Sequence, residues 1–362
     1  MFCVRYIQQI TFSLSISVFV TIVESPSLVF GVEYFNKRVD AACCHTDESK
    51  QDVSMDPYYD AVAKTSFIGL VTATNVVVNT LVIIVIVKYP QLREDRSTLF
   101  IFSLTISDLA NGITAMPISA YLCYNETVNG WFILKTHRFF IRVFAMIGLH
   151  SLSWVTLTKM VAILHPFRYE QLLSRKRCNV VIVCIWLISA AITAIGIRLD
   201  VEWNQGHCIS ANAYYRKPLS TQIGLTLGVV LPLAITLYAS ARILMVIVKT
   251  NRQIATQVSS ISGLVSDAAL PNPSITVQSL RSGRNILMIC AAALIFTLPM
   301  FVYILFNMVL NIELPMAFQF ASVWILMCNS SANGILYLSL FRNVRKRLFQ
   351  MFGELHNLCC YR

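Results

Sequence analysis

The chain has 362 residues, of which 56% are hydrophobic and 13% charged, with 29 Lys and Arg against 18 Asp and Glu for a net charge of +11. A water-soluble domain carries roughly 25% charged residues, so this composition excludes an ordinary soluble protein and leaves little chain for a separate soluble domain. The positive charge gathers beside apolar runs, where it meets anionic lipid, and no nucleic-acid partner is needed to account for it.

The first apolar run, Ile7–Val23, follows Arg5 and ends before Glu24-Ser25-Pro26. It reads as a secretory signal peptide over residues 1–31, cut after Val29-Phe30-Gly31, or as an uncleaved apolar anchor. Its hydrophobic region is long and its start carries a single basic side chain. Residues 32–62 follow as an extracellular N-terminal segment. Seven further runs are each about 20 residues long, enough to cross a bilayer as a helix. They are Thr65–Val87, Thr98–Cys123, Phe139–Leu164, Cys178–Ile197, Pro218–Ser240 (continuing helically to about Val248), Asn285–Val309 and Leu314–Leu338. The third is the least apolar, because it carries Arg142 and Lys159. The expected fold is that of an all-α membrane protein: a seven-transmembrane helix bundle over residues 63–341, with a cytoplasmic tail at 342–362.

Lys and Arg in short loops set the orientation. The loops after spans 1 and 3 and the segment after span 7 hold eleven: Lys88, Arg93, Arg96, Arg168, Arg175, Lys176, Arg177, Arg342, Arg345, Lys346 and Arg347. The loops after spans 2, 4 and 6 hold five: Lys135, Arg138, Arg198, Arg216 and Lys217. The N-terminus is therefore expected outside and the C-terminus in the cytoplasm of a multi-pass plasma-membrane protein. Asn125-Glu126-Thr127 is a glycosylation sequon in a loop assigned to the outside. Asn329-Ser330-Ser331 also matches, but inside span 7. Cys43, Cys44, Cys123 and Cys208 lie outside, where disulfides persist. Cys178, Cys184, Cys290 and Cys328 fall in or beside spans and read as free core thiols. Cys359 and Cys360 follow a basic segment, a setting suited to S-palmitoylation. Residues 249–284 form the long inner connection, and its Ser-, Pro- and Asn-rich part, Ser259–Ser279, reads as a mobile loop.

Asp108 sits in the middle of span 2. A carboxylate at bilayer depth costs roughly 2.5–3.5 kcal/mol on insertion scales, so it marks an internal polar site. Its setting, Ser103-Leu104-Thr105-Ile106-Ser107-Asp108-Leu109-Ala110, is one of several motifs that occur in order along the chain. Span 1 carries Asn79 in Val78-Asn79-Thr80-Leu81-Val82, span 4 Trp186, span 5 Pro232 and span 6 Pro299. Span 7 ends Asn329-Ser330-Ser331-Ala332-Asn333-Gly334-Ile335-Leu336-Tyr337, and Phe341-Arg342 opens a basic amphipathic segment to Phe352. In order and spacing these resemble the rhodopsin-like (class A) G-protein-coupled receptors, over about Thr65–Phe352. The amphipathic segment matches the short helix that lies along the inner membrane face in that family.

The departures are equally specific. Thr158-Lys159-Met160 stands where the family has Asp-Arg-Tyr. Phe296-Thr297-Leu298-Pro299 replaces Cys-Trp-x-Pro, Gly334 replaces the proline of span 7, and Leu134 falls where the family has a cysteine. The chain resembles a divergent member of the family.

The resemblance implies roles for particular residues. Asp108, Asn329, Ser330, Asn333 and Asn79 resemble the family's polar switch. Their carboxylate, amide and hydroxyl oxygens suit a hard cation, so a sodium ion is one reading and a satisfied hydrogen-bond network the other. Gly148 stands where a Ser ligand is common. Lys159 holds the place of the arginine that contacts the G protein, and Tyr337 belongs to the same inner surface. Lys lacks arginine's fork of donors, and Thr158 cannot pair with it ionically. Ser279 stands where many members place an acid, so the resting restraint is weaker or different; a lysine snorkelling to the membrane edge is the plain alternative. Arg138, Ile141, Arg142, Ala145, Thr297 and Met300 fall on the family's ligand cavity. Arg138 and Arg142, one turn apart on span 3, suit an anionic ligand or an internal pair with Asp200 or Glu202. Ile141 replaces the aspartate of amine receptors, and span 7 has no lysine for retinal. Cys208 has three outcomes: a bridge to Cys123, a bridge to Cys43 or Cys44, or a free thiol.

The function implied is that of a receptor binding an extracellular ligand and activating heterotrimeric G proteins. A receptor-shaped protein that binds without signalling is the alternative, on the strength of Thr158-Lys159-Met160. No catalytic constellation or metal-ligand spacing is evident, and the absence of a repeat argues against a transporter.

Overall fold

Seven helices among the described residues of the computed structural model are long and apolar enough to cross a membrane. The structure describes residues 57–124, 131–202, 224, 226–261, 273–306, 310, 312 and 314–360. The signal-peptide segment, Cys43, Cys44, Asn125 and Cys208 lie outside them, and the side chains of Cys123, Asp200, Glu202, Ser279, Cys359 and Cys360 are likewise not described. Span 1 is α1 (Pro57–Lys88). Span 2 is α2 (Arg96–Ile113) continued by α3 (Ala115–Tyr124), and span 3 is α4 (Trp131–Leu164). A short α5 (Tyr169–Leu172) leads to span 4, α6 (Arg175–Glu202). Span 5 is α7 (Leu231–Ile261), span 6 is α8 (Pro273–Ile304) and span 7 is α9 (Met316–Leu340), followed by α10 (Arg342–Cys360).

Apolar run length sets these helices, and the departures from it have local causes. Span 2 breaks at Thr114, whose backbone sits at φ −121° and ψ −73°. Pro117, three residues on, has no N–H to give, and its ring conflicts with the carbonyl of Ile113. The Thr114 hydroxyl and N–H both turn back to the Ala110 carbonyl, at 2.6 and 3.1 Å. Span 5 opens with a wider π turn over Thr226–Val230, next to Pro232. The long inner connection is shorter than its composition suggests. Helix α7 continues to Ile261 and α8 begins at Pro273, so only residues 262–272 between them are not described. Helix continuity from the spans overrides the weak local propensity of the serines. Helix α10 likewise runs past Phe352 to Cys360.

Burial runs opposite to apolarity. The three least apolar spans, 2, 3 and 7, are the three most deeply buried, whereas the strongly apolar span 4 is the most exposed. Lipid is as apolar as leucine, so it is the polar faces that seek other helices. At the centre, Phe100 of span 2 stacks on Trp154 of span 3 at 5.6 Å, amid Val82, Ile86, Leu104, Ile147, Val155 and Ile289. Trp186 does more than pack: its indole N–H donates to Ser103 at 3.1 Å, Ser103 meets Ser151 at 3.2 Å, and the ring stands edge-on to Phe144. Spans 2, 3 and 4 are thereby joined. Ser153 donates to the Pro232 carbonyl at 2.7 Å, joining spans 3 and 5. Of the four span thiols, Cys178 and Cys290 are buried and Cys328 half-buried, as core thiols should be. Cys184 is exposed on span 4, so its reading as a core thiol is corrected.

Helix α10 is held against span 1. Met351, Val344 and Leu348 pack on Val85 and Tyr89, and the Arg347 guanidinium lies 5.0 Å over the Tyr89 ring. Lys88 pairs with Glu354 at 2.6 Å, and this bond holds the Glu354 carboxyl below its usual range. Phe349 and Phe352 stay exposed beside this packed face, as on a helix lying at a membrane surface.

Candidate functional site

The polar core forms where spans 1, 2 and 7 meet. Asp108, 5% exposed, points at span 7, where Asn333 donates to its carboxylate at 3.3 Å. Ser330 lies beside the same carboxylate. Asn79 donates to the Asn75 carbonyl at 2.9 Å, to the Asn75 side-chain oxygen at 2.5 Å and to the Ser330 carbonyl at 3.2 Å. Asn75 in turn donates to the Asp108 carbonyl at 2.7 Å. Asn79 thus bridges spans 1 and 7 directly and span 2 through Asn75, a residue the sequence reading missed. The four-residue spacing of the two asparagines on one helix face was the available signal.

This core is rich in acceptors and short of donors. Among the described residues, the side-chain oxygens of Asn79, Asn111, Asn329 and Asn333 and the Tyr337 hydroxyl are buried without a partner. Buried polar atoms are nearly always bonded, so such a cluster needs an explanation. Gly334 explains another departure. A β-carbon there would lie 2.6 Å from Val78 Cγ1 and 3.1 Å from Asn79 Oδ1, so glycine is what lets span 7 approach span 1 this closely.

The basic end of the bundle holds the second expected site. Lys159, at the foot of span 3, pairs with Asp95, which also caps α2 by accepting from the Ser97 N–H at 3.1 Å. Tyr337 does not reach this surface. It is 1% exposed, with its ring 5.4 Å from Phe341 in the main apolar core, so its placement at an inner contact surface is corrected for this conformation. Asn285 of span 6 donates to the Leu340 carbonyl at 2.8 Å, tying the basic ends of spans 6 and 7 together. Phe167 is almost fully exposed in the turn that follows span 3.

The candidates at the opposite end are only partly gathered. Arg138, Ile141, Arg142 and Ala145 line α4 and are all half-buried. Ile141 packs beside Ile68, Met116, Trp324 and Met327, the apolar cluster of spans 1, 2 and 7. Met300 is half-buried, but Thr297 is 1% exposed and its hydroxyl is turned to the Ala293 carbonyl of its own helix at 2.6 Å. Thr297 is thus closed off in this conformation, with its hydroxyl satisfied within its own helix. A residue not singled out from sequence, His137, meets Ser119 at 2.6 Å and joins span 3 to α3, the second half of span 2.

Comparison with known proteins agrees with this architecture. The profile of the 7 transmembrane receptor (rhodopsin family) matches residues 78–337. The chain is 30% identical over 127 residues to a trace amine-associated receptor 365 of Petromyzon marinus, covering 35% of this chain and 34% of that one. It is 31% identical over 140 residues to galanin receptor type 1 of Homo sapiens, covering 38% and 39%. With a D(1)-like dopamine receptor of Takifugu rubripes the identity is 27% over 150 residues, covering 40% and 31%. The matched stretches span about a third of the length of these relatives.

Proposed function

Because the chain belongs to the rhodopsin family of seven-transmembrane receptors, we propose that it binds an extracellular ligand between spans 3, 5, 6 and 7 and activates heterotrimeric G proteins at its basic end. In this reading the basic end faces the cytoplasm of a plasma-membrane protein. The observation that carries it is the buried Asp108 and the partnerless oxygens around it. A bilayer-depth carboxylate is costly, and unsatisfied acceptors shared by spans 1, 2 and 7 leave room for a second packing in which they are satisfied. Ligand binding would shift that equilibrium, with span 6 hinging at Pro299, the proline inside α8. The Asn285 bond to Leu340 and the burial of Tyr337 support assigning the structure described here to the closed, resting form.

The test is ligand-independent G-protein activation in cells, normalised to surface expression. The wild-type chain should exceed cells lacking it, and Lys159→Met, which removes the cation but keeps the stem, should fall to their level. A wild-type chain no better than empty cells would instead favour the binding-only reading, which the engagement of Lys159 by Asp95 makes specific.

The donor set suits a sodium ion. Asp108 and the partnerless oxygens of Asn329 and Asn333 are hard ligands, with Ser330 beside them. Bound there, a cation would neutralise the carboxylate and satisfy acceptors that have no donor. Gly148 leaves one side of this set open: a β-carbon there would sit in ordinary contact, 3.5 Å from Leu104 Cδ1 and 3.9 Å from Asp108 Oδ1. Gly148→Ser should therefore fit and add a ligand. The expected result is a thermal midpoint in detergent that rises more with sodium than with potassium, and by more than in wild type. An equal response to the two salts in both proteins would remove sodium from the reading.

Span 3 supports a reading of the ligand class. Half-buried Arg138 and Arg142 favour a carboxylate or phosphate. Two of the relatives named above are amine receptors by name, but Ile141 packs into an apolar cluster here and offers no counter-ion to an ammonium group.

A further inference from the structure

We infer that Asp95 is the positioning residue for Lys159, the acid that holds this side chain at rest in place of one missing from span 3. The inference rests on the reading of Lys159 as the G-protein contact. Helix α4, which carries Lys159, contains no Asp or Glu, and neither does α8 across the bundle. Thr158, the neighbour where an acid would be expected, turns its hydroxyl to the Val155 carbonyl of its own helix at 2.8 Å. A cation at the foot of span 3 must therefore find its counter-ion on another element. It finds it 64 residues earlier, in the residue that caps α2.

The surroundings fix this choice of partner. One Asp95 oxygen takes Lys159 while the other accepts from the Ser97 N–H at 3.1 Å, with the Tyr169 hydroxyl within 3.5 Å. Arg96, the cation next to Asp95 in sequence, is already engaged by Glu170 at 2.9 Å, the Leu173 carbonyl at 3.1 Å and the Glu94 carbonyl at 3.0 Å. Burial pushes the Asp95 carboxyl up, but the Lys159 charge and the bonds from Lys159 and Ser97 outweigh it and hold the group below its usual range. The pair is asymmetric. The Lys159 side chain is 11% exposed and that of Asp95 42%. Water reaches the acid, so the contact is weak enough to be released when the basic end opens. It also couples the first and second loops of the basic end to span 3, since Tyr169 belongs to α5 and Asp95 to the turn before α2. Release of Lys159 thus means separating span 3 from span 2, rather than from span 6.

Two measurements test this. Asp95→Asn removes the charge but retains a residue that caps helices equally well, so folding should survive. If Asp95 restrains Lys159, ligand-independent G-protein activation should rise about fivefold or more, and Asp95→Glu, which restores the charge, should recover most of the restraint. The second measurement is a thermal double-mutant cycle in detergent on Asp95→Asn, Lys159→Met and the pair. Each single change should lower the midpoint, and the double should lower it little further. Additive shifts would overturn the pairing itself. Unchanged activation by Asp95→Asn in a chain that does signal would overturn the positioning role alone. Silence of wild type and Asp95→Asn alike would overturn the G-protein reading and the positioning role with it, leaving a structural ion pair.

Discussion

Asp108→Asn is expected to lower ligand-independent G-protein activation by roughly tenfold, within the usual span of coupling between sites, with surface expression near wild type. The carboxylate now accepts from Asn333 while the oxygens of Asn79, Asn329 and Asn333 lack donors. An amide at 108 still accepts through its oxygen and brings two N–H donors to those acceptors. It should therefore tighten the resting packing of spans 2 and 7, the state in which Lys159 is held and Tyr337 is buried. Asp108→Leu is the contrasting variant. It offers nothing to the Asn333 amide, and a stranded buried donor costs about 1–3 kcal/mol, so this change should reduce the amount of chain at the cell surface. Equal activation by wild type and Asp108→Asn would show that the charge has no part in switching.

The second large effect is expected at Gly334, where two ordinary arguments give opposite signs. On helix propensity alone, Gly334→Ala should stabilise by about 1 kcal/mol. On packing it should destabilise by about 1–3 kcal/mol, because the new methyl would lie 2.6 Å from Val78 Cγ1. Packing should win. Val78 is β-branched and held to one rotamer within a helix, so it cannot swing aside, and Asn79 next to it is fixed by its three bonds. A lowered thermal midpoint in detergent is the expected result, with Val78→Ala restoring it in the Gly334→Ala background. A midpoint raised by Gly334→Ala alone would mean that the two helices separate at little cost. The proline found here in related receptors frees a carbonyl one turn back. In this chain that carbonyl, of Ser330, already accepts from Asn79 at 3.2 Å.

The spans could be read from the sequence because a bilayer asks for one property over a fixed length, and the chain supplies it in runs that the helices follow. Asp108 was legible for the converse reason: a charge in such a run has no cheap explanation. What escaped was pairing across distance. The Asp95–Lys159 pair joins a loop to a helix end, and no periodicity links the two positions. Thr297 looked like a cavity residue by its place beside Pro299, but its hydroxyl had a nearer acceptor within its own turn. Tyr337 was assigned by sequence position to a surface that the packing described above closes. The break in span 2 could have been seen: Pro117 lies inside the run, and a helix cannot pass a proline unaltered. The helical extensions to Ile261 and from Pro273 could not, because their serines and asparagines favour loops when judged locally.

The inverse relation between apolarity and burial bears on how the chain is made. A segment is admitted to the bilayer largely on its own apolarity, yet spans 2, 3 and 7 keep their polar faces for one another. Span 1 can settle into lipid as soon as it emerges, while the two that follow need its face, and each other's, to hide Asp108, Asn111, Ser151 and Lys159. Span 7 comes last, and only on its arrival does Asp108 receive the Asn333 amide. Until synthesis ends, the most costly charge in the bundle waits without this partner. Changes that strand this carboxylate should therefore be felt first at the ribosome-bound stage, as chains with a span misplaced.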